Sequence, residues 1–137
     1  MFKMSSRCYE AMIEDAKKRL PNEACGLLAG KDLAATFYSM RNTDRSPVTY
    51  LMDPKEQFQI FKEIRSRGEK MLGIYHSHVA TEAYPSAKDV ALAFYSEVHY
   101  VIVSLENRKT PVAKAFRIEE EKVREDTIDI TQSIEDI

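Results

Sequence analysis

In residues 8–20 the apolar side chains Cys8, Met12, Ala16 and Leu20 recur every four positions behind Ser5 and Ser6, the pattern of a capped amphipathic helix that Pro21 ends. The period then changes. "EACGLLAG" is a short, mostly apolar run closed by Gly30, and "AATFYSMRNT" is a second extended stretch, so a hairpin turning near Lys31 and Asp32 is predicted. A further short strand is expected over residues 48–52. Asp53, Pro54 and Glu56 form an N-cap, a first-turn proline and a capping-box acid, opening a helix that turns Phe58, Phe61 and Ile64 inward and stops at Gly68. "KMLGIYHSH" follows as a buried strand, residues 86–96 as a helix with Val90, Ala93, Phe94 and Glu97 on one side, and "HYVIVSLE" and "VAKAFRI" as two more strands. Strands and helices alternate after Asp53, which predicts one α/β domain with a mixed sheet flanked by helices, without repeats or a linker.

Composition narrows the classes. The 137 residues are 44% hydrophobic and 31% charged, an ordinary globular balance, and no segment reaches membrane-spanning length. A chain of this size can bury roughly 70% of its unfolded surface. No secretory signal is visible at the N-terminus, and cytoplasmic residence is expected. Cys8 and Cys25 are too few for a disulfide framework or a cysteine zinc cluster. Net charge is −2, but residues 119–137 carry eight acids against Lys122 and Arg124, a balance of −6 that leaves +4 on residues 1–118. That division suggests a domain over residues 1–118 and an acidic segment, 119–137, peripheral to it. Without a basic stripe interleaved with aromatics, nucleic acid is not an expected partner.

The candidate chemistry lies in "GIYHSHVATEAYPSAKDV". Residues two apart on a strand share a face, with Cα atoms about 6.6 Å apart, so His76 and His78 can converge on one ion. They can equally be two polar residues at a strand end. Ser86 and Asp89 form a capping box, a purely structural device by itself. An acid in that first turn nevertheless projects toward the histidine strand, where its oxygen would complete a two-nitrogen, one-oxygen set. Three protein ligands leave one tetrahedral position open, as in catalytic rather than structural zinc sites.

His76, Ser77, His78, Ser86 and Asp89 resemble the signature His-Ser/Thr-His-x7-Ser-x2-Asp of the JAMM (MPN) metalloproteases, in particular the compact prokaryotic single-domain members. The likeness runs over residues 8–118, and the family's upstream glutamate is matched by Glu23 in "PNEACGLLAG". Val79 stands where many relatives have proline. The resemblance implies that His76, His78 and Asp89 bind one Zn2+ per chain, that Glu23 is the general acid/base, and that Ser86 donates to a developing oxyanion. It further implies hydrolysis of the amide bond after the C-terminal diglycine of a ubiquitin-like or sulfur-carrier protein.

Other readings compete. A cupin metal triad would use His76, His78 and Glu82, but glycines of the cupin pattern are replaced by Lys70 and Asp89. Metallo-β-lactamase-like hydrolases would need Asp and His where Ala80 and Thr81 stand. A non-catalytic MPN-type scaffold would generally lack the ligands. Cys25 as a thiol nucleophile, with His76 or His78 as base, is a further alternative. His99 is expected at a strand edge, and Tyr75 and Tyr84 either line a groove or pack.

Overall fold

The computed structural model describes residues 1–132. The chain runs β1 (Phe2–Ser5), α1 (Ser6–Lys18), β2 (Cys25–Gly30), β3 (Thr36–Met40), α2 (Pro54–Ser66), β4 (Lys70–His78), α3 (Ala87–Ala91), β5 (His99–Ser104), β6 (Val112–Glu119), β7 (Lys122–Asp126) and β8 (Ile128–Thr131). Six strands form a mixed sheet in the order β3-β2-β4-β5-β6-β7, in which only the β4–β5 pair is parallel. β1 and β8 make a separate parallel pair. The α/β architecture expected from the pattern is therefore present.

Period-2 alternation divides the sheet between two cores. On one face, Leu28, Tyr75, Val101, Val103 and Ala115 pack with Phe2 and Met4 of β1 and with Cys8, Met12 and Ala16 of α1. The every-fourth spacing thus marks the buried stripe of α1, whose start is capped by Ser5 Oγ accepting from the Cys8 N–H at 3.1 Å. On the other face, Cys25, Leu27, Ile74, Ile102, Phe116 and Ile118 pack against Ile64, Ile60 and Phe61 of α2. The hairpin between β2 and β3 needs Gly30, because a Cβ there would collide with the Leu33 carbonyl.

The structure differs from expectation at several places. Residues 48–52 form no strand beyond one bridge, Asn42 to Met52; side-chain hydrogen bonds hold that segment instead. Phe58 is 59% exposed under the Lys62 ammonium, while Ile60, Phe61 and Ile64 turn inward. Glu56 closes no capping box: Asp53 caps α2 by accepting from Lys55 N–H, and the Glu56 carboxylate accepts from Arg41 N–H at 2.9 Å. The third helix is one short turn and a half, ending at Ala91, because Val98 and the Tyr100 hydroxyl, which accepts from Tyr95 N–H, draw the following chain back to the sheet.

The acidic segment after Ile118 does not lie apart from the domain as far as Thr131. β7 pairs with β6 at the sheet edge and β8 pairs with β1. Most of its described charges still face outward, but the Asp126 carboxylate turns in to His99 and the N-terminal ammonium. Residues 133–137 lie outside the described residues. Among the described residues no helix is long and apolar enough to cross a membrane.

Candidate metal centre

β4 is the middle of the site. It runs antiparallel to β2 with Cys25 opposite His76, and two bonds extend the pairing past the strand end: Ser77 N–H to the Ala24 carbonyl at 3.0 Å, and Ala24 N–H to Ser77 Oγ at 2.8 Å. Carried on by two residues, that register sets Glu23 opposite His78. His76 and His78, two apart, share the α2 face of the sheet. Asp89 arrives from the first turn of α3, where Ser86 caps the helix by accepting from Asp89 N–H at 3.1 Å while Asp89 Oδ2 accepts from Ser86 N–H at 2.9 Å. The capping box therefore aims the carboxylate.

Three donor atoms meet there. Asp89 Oδ2 is 3.1 Å from His76 Nε2 and 3.0 Å from His78 Nε2, and the two Nε2 atoms are 3.2 Å apart. A tetrahedral ion with bonds of about 2.0–2.1 Å holds its donors about 3.3 Å apart, so this near-equilateral triangle has the size of one face of a zinc tetrahedron. The tautomer also fits. His78 Nδ1 donates to the Glu82 carbonyl at 2.8 Å, which leaves the Nε2 lone pair directed at the cluster. With both Nε2 atoms deprotonated, two nitrogen lone pairs and a carboxylate oxygen converge inside the protein, an arrangement that a bound cation stabilises; protons on Nε2 bridging to Asp89 are the alternative to a cation. His76, His78 and Asp89 thus suit a metal ion.

The charges around the cluster are tuned accordingly. Burial would raise the Asp89 carboxyl, but hydrogen bonds with His76 and His78 outweigh it and hold Asp89 ionised far below the usual carboxylate range. Burial lowers His76. It pulls the same way on His78, yet the bonds to Asp89 and the Glu82 carbonyl prevail and raise that imidazole. Glu23 is 5% exposed, and burial, aided by the Asp89 charge and partly opposed by His78 and Lys88, pushes its carboxyl up to about 7. Ser86 is exposed, and because its Oγ accepts from Asp89 its own proton is free to donate outward.

All five residues singled out in the sequence therefore meet at one strand end. Others do not. The Glu82 side chain is exposed, and only its carbonyl takes part. His99 is paired with Asp126 at 2.9 Å. Tyr75 is fully buried on the α1 face with its hydroxyl 3.3 Å from Asp15 Oδ2, and Tyr84 packs edge-on against Phe116, 51% exposed. Cys25 is buried opposite His76, its thiol donating to the Met40 carbonyl, and burial together with the Asp15 and Glu56 charges pushes it up to about 12. It is no thiolate at neutral pH. Accordingly, Cys25 in the folded protein should resist iodoacetamide at pH 8 and react only after denaturation, as peptide mass spectrometry would show. Ser77, the middle residue of the signature, ties the strands beneath the histidines. Two contributors carry no signal of their own in the sequence: Tyr50 and Asn42, which reach the site from a distant loop.

Residues 5–119 match the family of prokaryotic homologs of the JAB domain. The chain belongs to this family. Within it, the JAB-domain chain is 38% identical over 125 residues to the CysO-cysteine peptidase of Mycobacterium tuberculosis, with 89% of this chain and 86% of the relative covered. It is 37% identical over 94 residues to the desampylase of Haloferax volcanii, covering 66% and 68% of the two chains. A Desulfitobacterium hafniense protein known from its solution structure is 41% identical and superposes with a TM-score of 0.88 over 98% of this chain and 96% of that one. The JAB-domain sheet, mixed and open, also removes the cupin reading, which requires a closed β-barrel.

Proposed function

We propose that this JAB-domain protein is a zinc-dependent peptidase or isopeptidase of the cytoplasm that hydrolyses the amide bond after the C-terminal diglycine of a ubiquitin-like or sulfur-carrier protein. The observation that carries the reading is the Nε2, Nε2, Oδ2 triangle of His76, His78 and Asp89 beside the buried carboxyl of Glu23. A non-catalytic scaffold requires neither, and this chain has both. Bound zinc would supply Lewis acidity, polarising a carbonyl and bringing the pKa of water down to about 7. His76, His78 and Asp89 would hold the ion. Glu23, with its carboxyl near 7, accepts a proton from the attacking water and passes it to the leaving amine at neutral pH. Ser86 has an unused O–H at the edge of the site, placed to stabilise the oxygen on which negative charge develops. Donors of this kind typically contribute about 2.7–4 kcal/mol.

The substrate rests on kinship with a CysO-cysteine peptidase and a desampylase, together with the absence of bulk in a diglycine tail, whose backbone can add along a sheet edge and present its carbonyl without side-chain clashes. A carrier protein extended beyond Gly-Gly should be cut directly after the second glycine. Replacing that glycine with a bulky residue should slow the reaction by roughly 10-fold or more, since clashes of 1–3 kcal/mol are ordinary at tight subsites. Linked ubiquitin chains should be poor substrates. Timed digests read by mass spectrometry locate the cut. Efficient cleavage of unrelated unfolded peptides at many sequences would replace the carrier reading with a general peptidase.

A further inference from the structure

The loop between β3 and α2 supplies none of the ligands, yet Tyr50 from this loop lies flat on one of them. Its ring and that of His76 have centroids 4.6 Å apart and planes 20° from parallel. His76 is 1% exposed, and among the described residues its Nδ1 has no hydrogen-bond partner. The two ligand histidines are thus held differently. His78 is fixed through Nδ1 by the Glu82 carbonyl. Metal-binding histidines ordinarily need that second anchor to set ring orientation, and His76 lacks it.

The loop is itself clamped in place. Asn42 Nδ2 donates to the Thr49 carbonyl at 2.9 Å and to the Glu23 carbonyl at 3.1 Å, while Asn42 Oδ1 accepts from Leu51 N–H at 3.1 Å and Asp44 N–H at 3.0 Å. All four hydrogen-bonding positions of the amide are used. The residues on both sides of Tyr50 are thereby pinned, and through the same side chain they are tied to the backbone of Glu23. We propose that Tyr50 is a positioning residue for the metal ligand His76, its ring stack taking the place of the missing hydrogen bond, and that Asn42 acts through Tyr50. This rests on the reading of His76, His78 and Asp89 as a metal site.

Zinc affinity of the folded, metal-stripped protein, measured by competition with a chromophoric chelator, tests it. Tyr50→Leu should weaken zinc binding by about 10- to 100-fold, the usual cost of losing outer support for a ligand, and Tyr50→Phe should stay within about threefold of wild type because the ring remains. Asn42→Ala should weaken binding in the wild-type background and add nothing to Tyr50→Leu, the non-additivity expected when one residue acts through the other. Cobalt(II) in place of zinc should show visible bands that shift in Tyr50→Leu and not in Tyr50→Phe. As a control, Ile64→Val should lower the melting temperature without moving zinc affinity. Should Tyr50→Leu fail to fold, Asn42→Ala, which keeps the ring and frees its loop, carries the same expectation. Wild-type zinc affinity in Tyr50→Leu, or equal losses in Tyr50→Phe and Tyr50→Leu, overturns the positioning role while the metal site stands. Absence of zinc binding by the wild type overturns both.

Discussion

Glutamine in place of Glu23 will leave a folded protein that still binds zinc but turns over at least about 100-fold more slowly, the order expected when a general base is removed. The side chain keeps its shape, and the ligand triangle does not include it. What disappears is a carboxyl buried opposite His78 that can carry a proton at neutral pH. Stopped assays with equal zinc content in both proteins would separate this from metal loss. Turnover near wild type would pass the role to another acid, Glu82 or Glu97, both of them exposed. The same substitution has an opposite effect on stability. The folded carboxyl, up to about 7, lies above its unfolded value of about 4.3, so the folded state binds this proton more tightly. Its contribution is therefore fully present below about pH 4.3 and is lost as pH rises through about 7. Glutamine cannot ionise. The metal-free variant should melt above metal-free wild type at pH 8, by an amount on the order of 3 kcal/mol, and nearly match it at pH 4. A group whose removal stabilises the fold and stops the reaction is held there for chemistry.

The parts of the molecule that are legible in the sequence are those whose signal is local. The every-fourth stripe of α1, the Asp53–Pro54 start of α2 and the apolar runs of β2, β4 and β5 each bury a face that their own spacing defines. The strands that escape notice, β1, β7 and β8, are four or five residues long, and β7 carries charges outward at an edge, so periodicity has too little length to act on. The third helix reads too long because Val90, Ala93 and Phe94 suggest an apolar side; the burial of Val98 just before β5 and the bond from Tyr95 N–H to the Tyr100 hydroxyl within it are tertiary features outside that window. In the site, the histidine pair and capping box are visible as spacing, whereas Glu23 stands out only through family resemblance, since its position opposite His78 is created by the pairing of β2 with β4, which joins residues 53 apart at Ala24 and Ser77. Tyr50 is invisible for the same reason. Its partner His76 is brought to it by tertiary structure alone.

If the proposed site holds zinc, alanine at His78 will reduce zinc affinity by several orders of magnitude and abolish turnover, while the chain stays folded, because the ion would be held by few ligands on a scaffold whose two cores are formed without it. Asp89 allows a sharper dissection. In the proposed site its carboxylate would serve as metal donor while it accepts from Ser86 N–H. In Asp89→Asn the amide carbonyl oxygen can still accept that hydrogen bond, so both halves of the capping box survive and the negative charge does not. Asp89→Ala loses both. Zinc binding, measured by metal analysis after dialysis, should fall heavily in both variants, whereas Asp89→Ala alone should also lose the bond from Ser86 N–H, a further ~1 kcal/mol of stability, although Ser86 still caps the helix through the backbone N–H at position 89. Affinity in the wild type should rise with pH, because the bonds to Asp89 and the Glu82 carbonyl raise His78 and its proton must leave before Nε2 can bind an ion. If His78→Ala retained stoichiometric, tightly bound zinc that the wild type also held, the triangle at the end of β4 would not be the metal centre, and the ligand assignment would have to be abandoned even though the fold and the family remain.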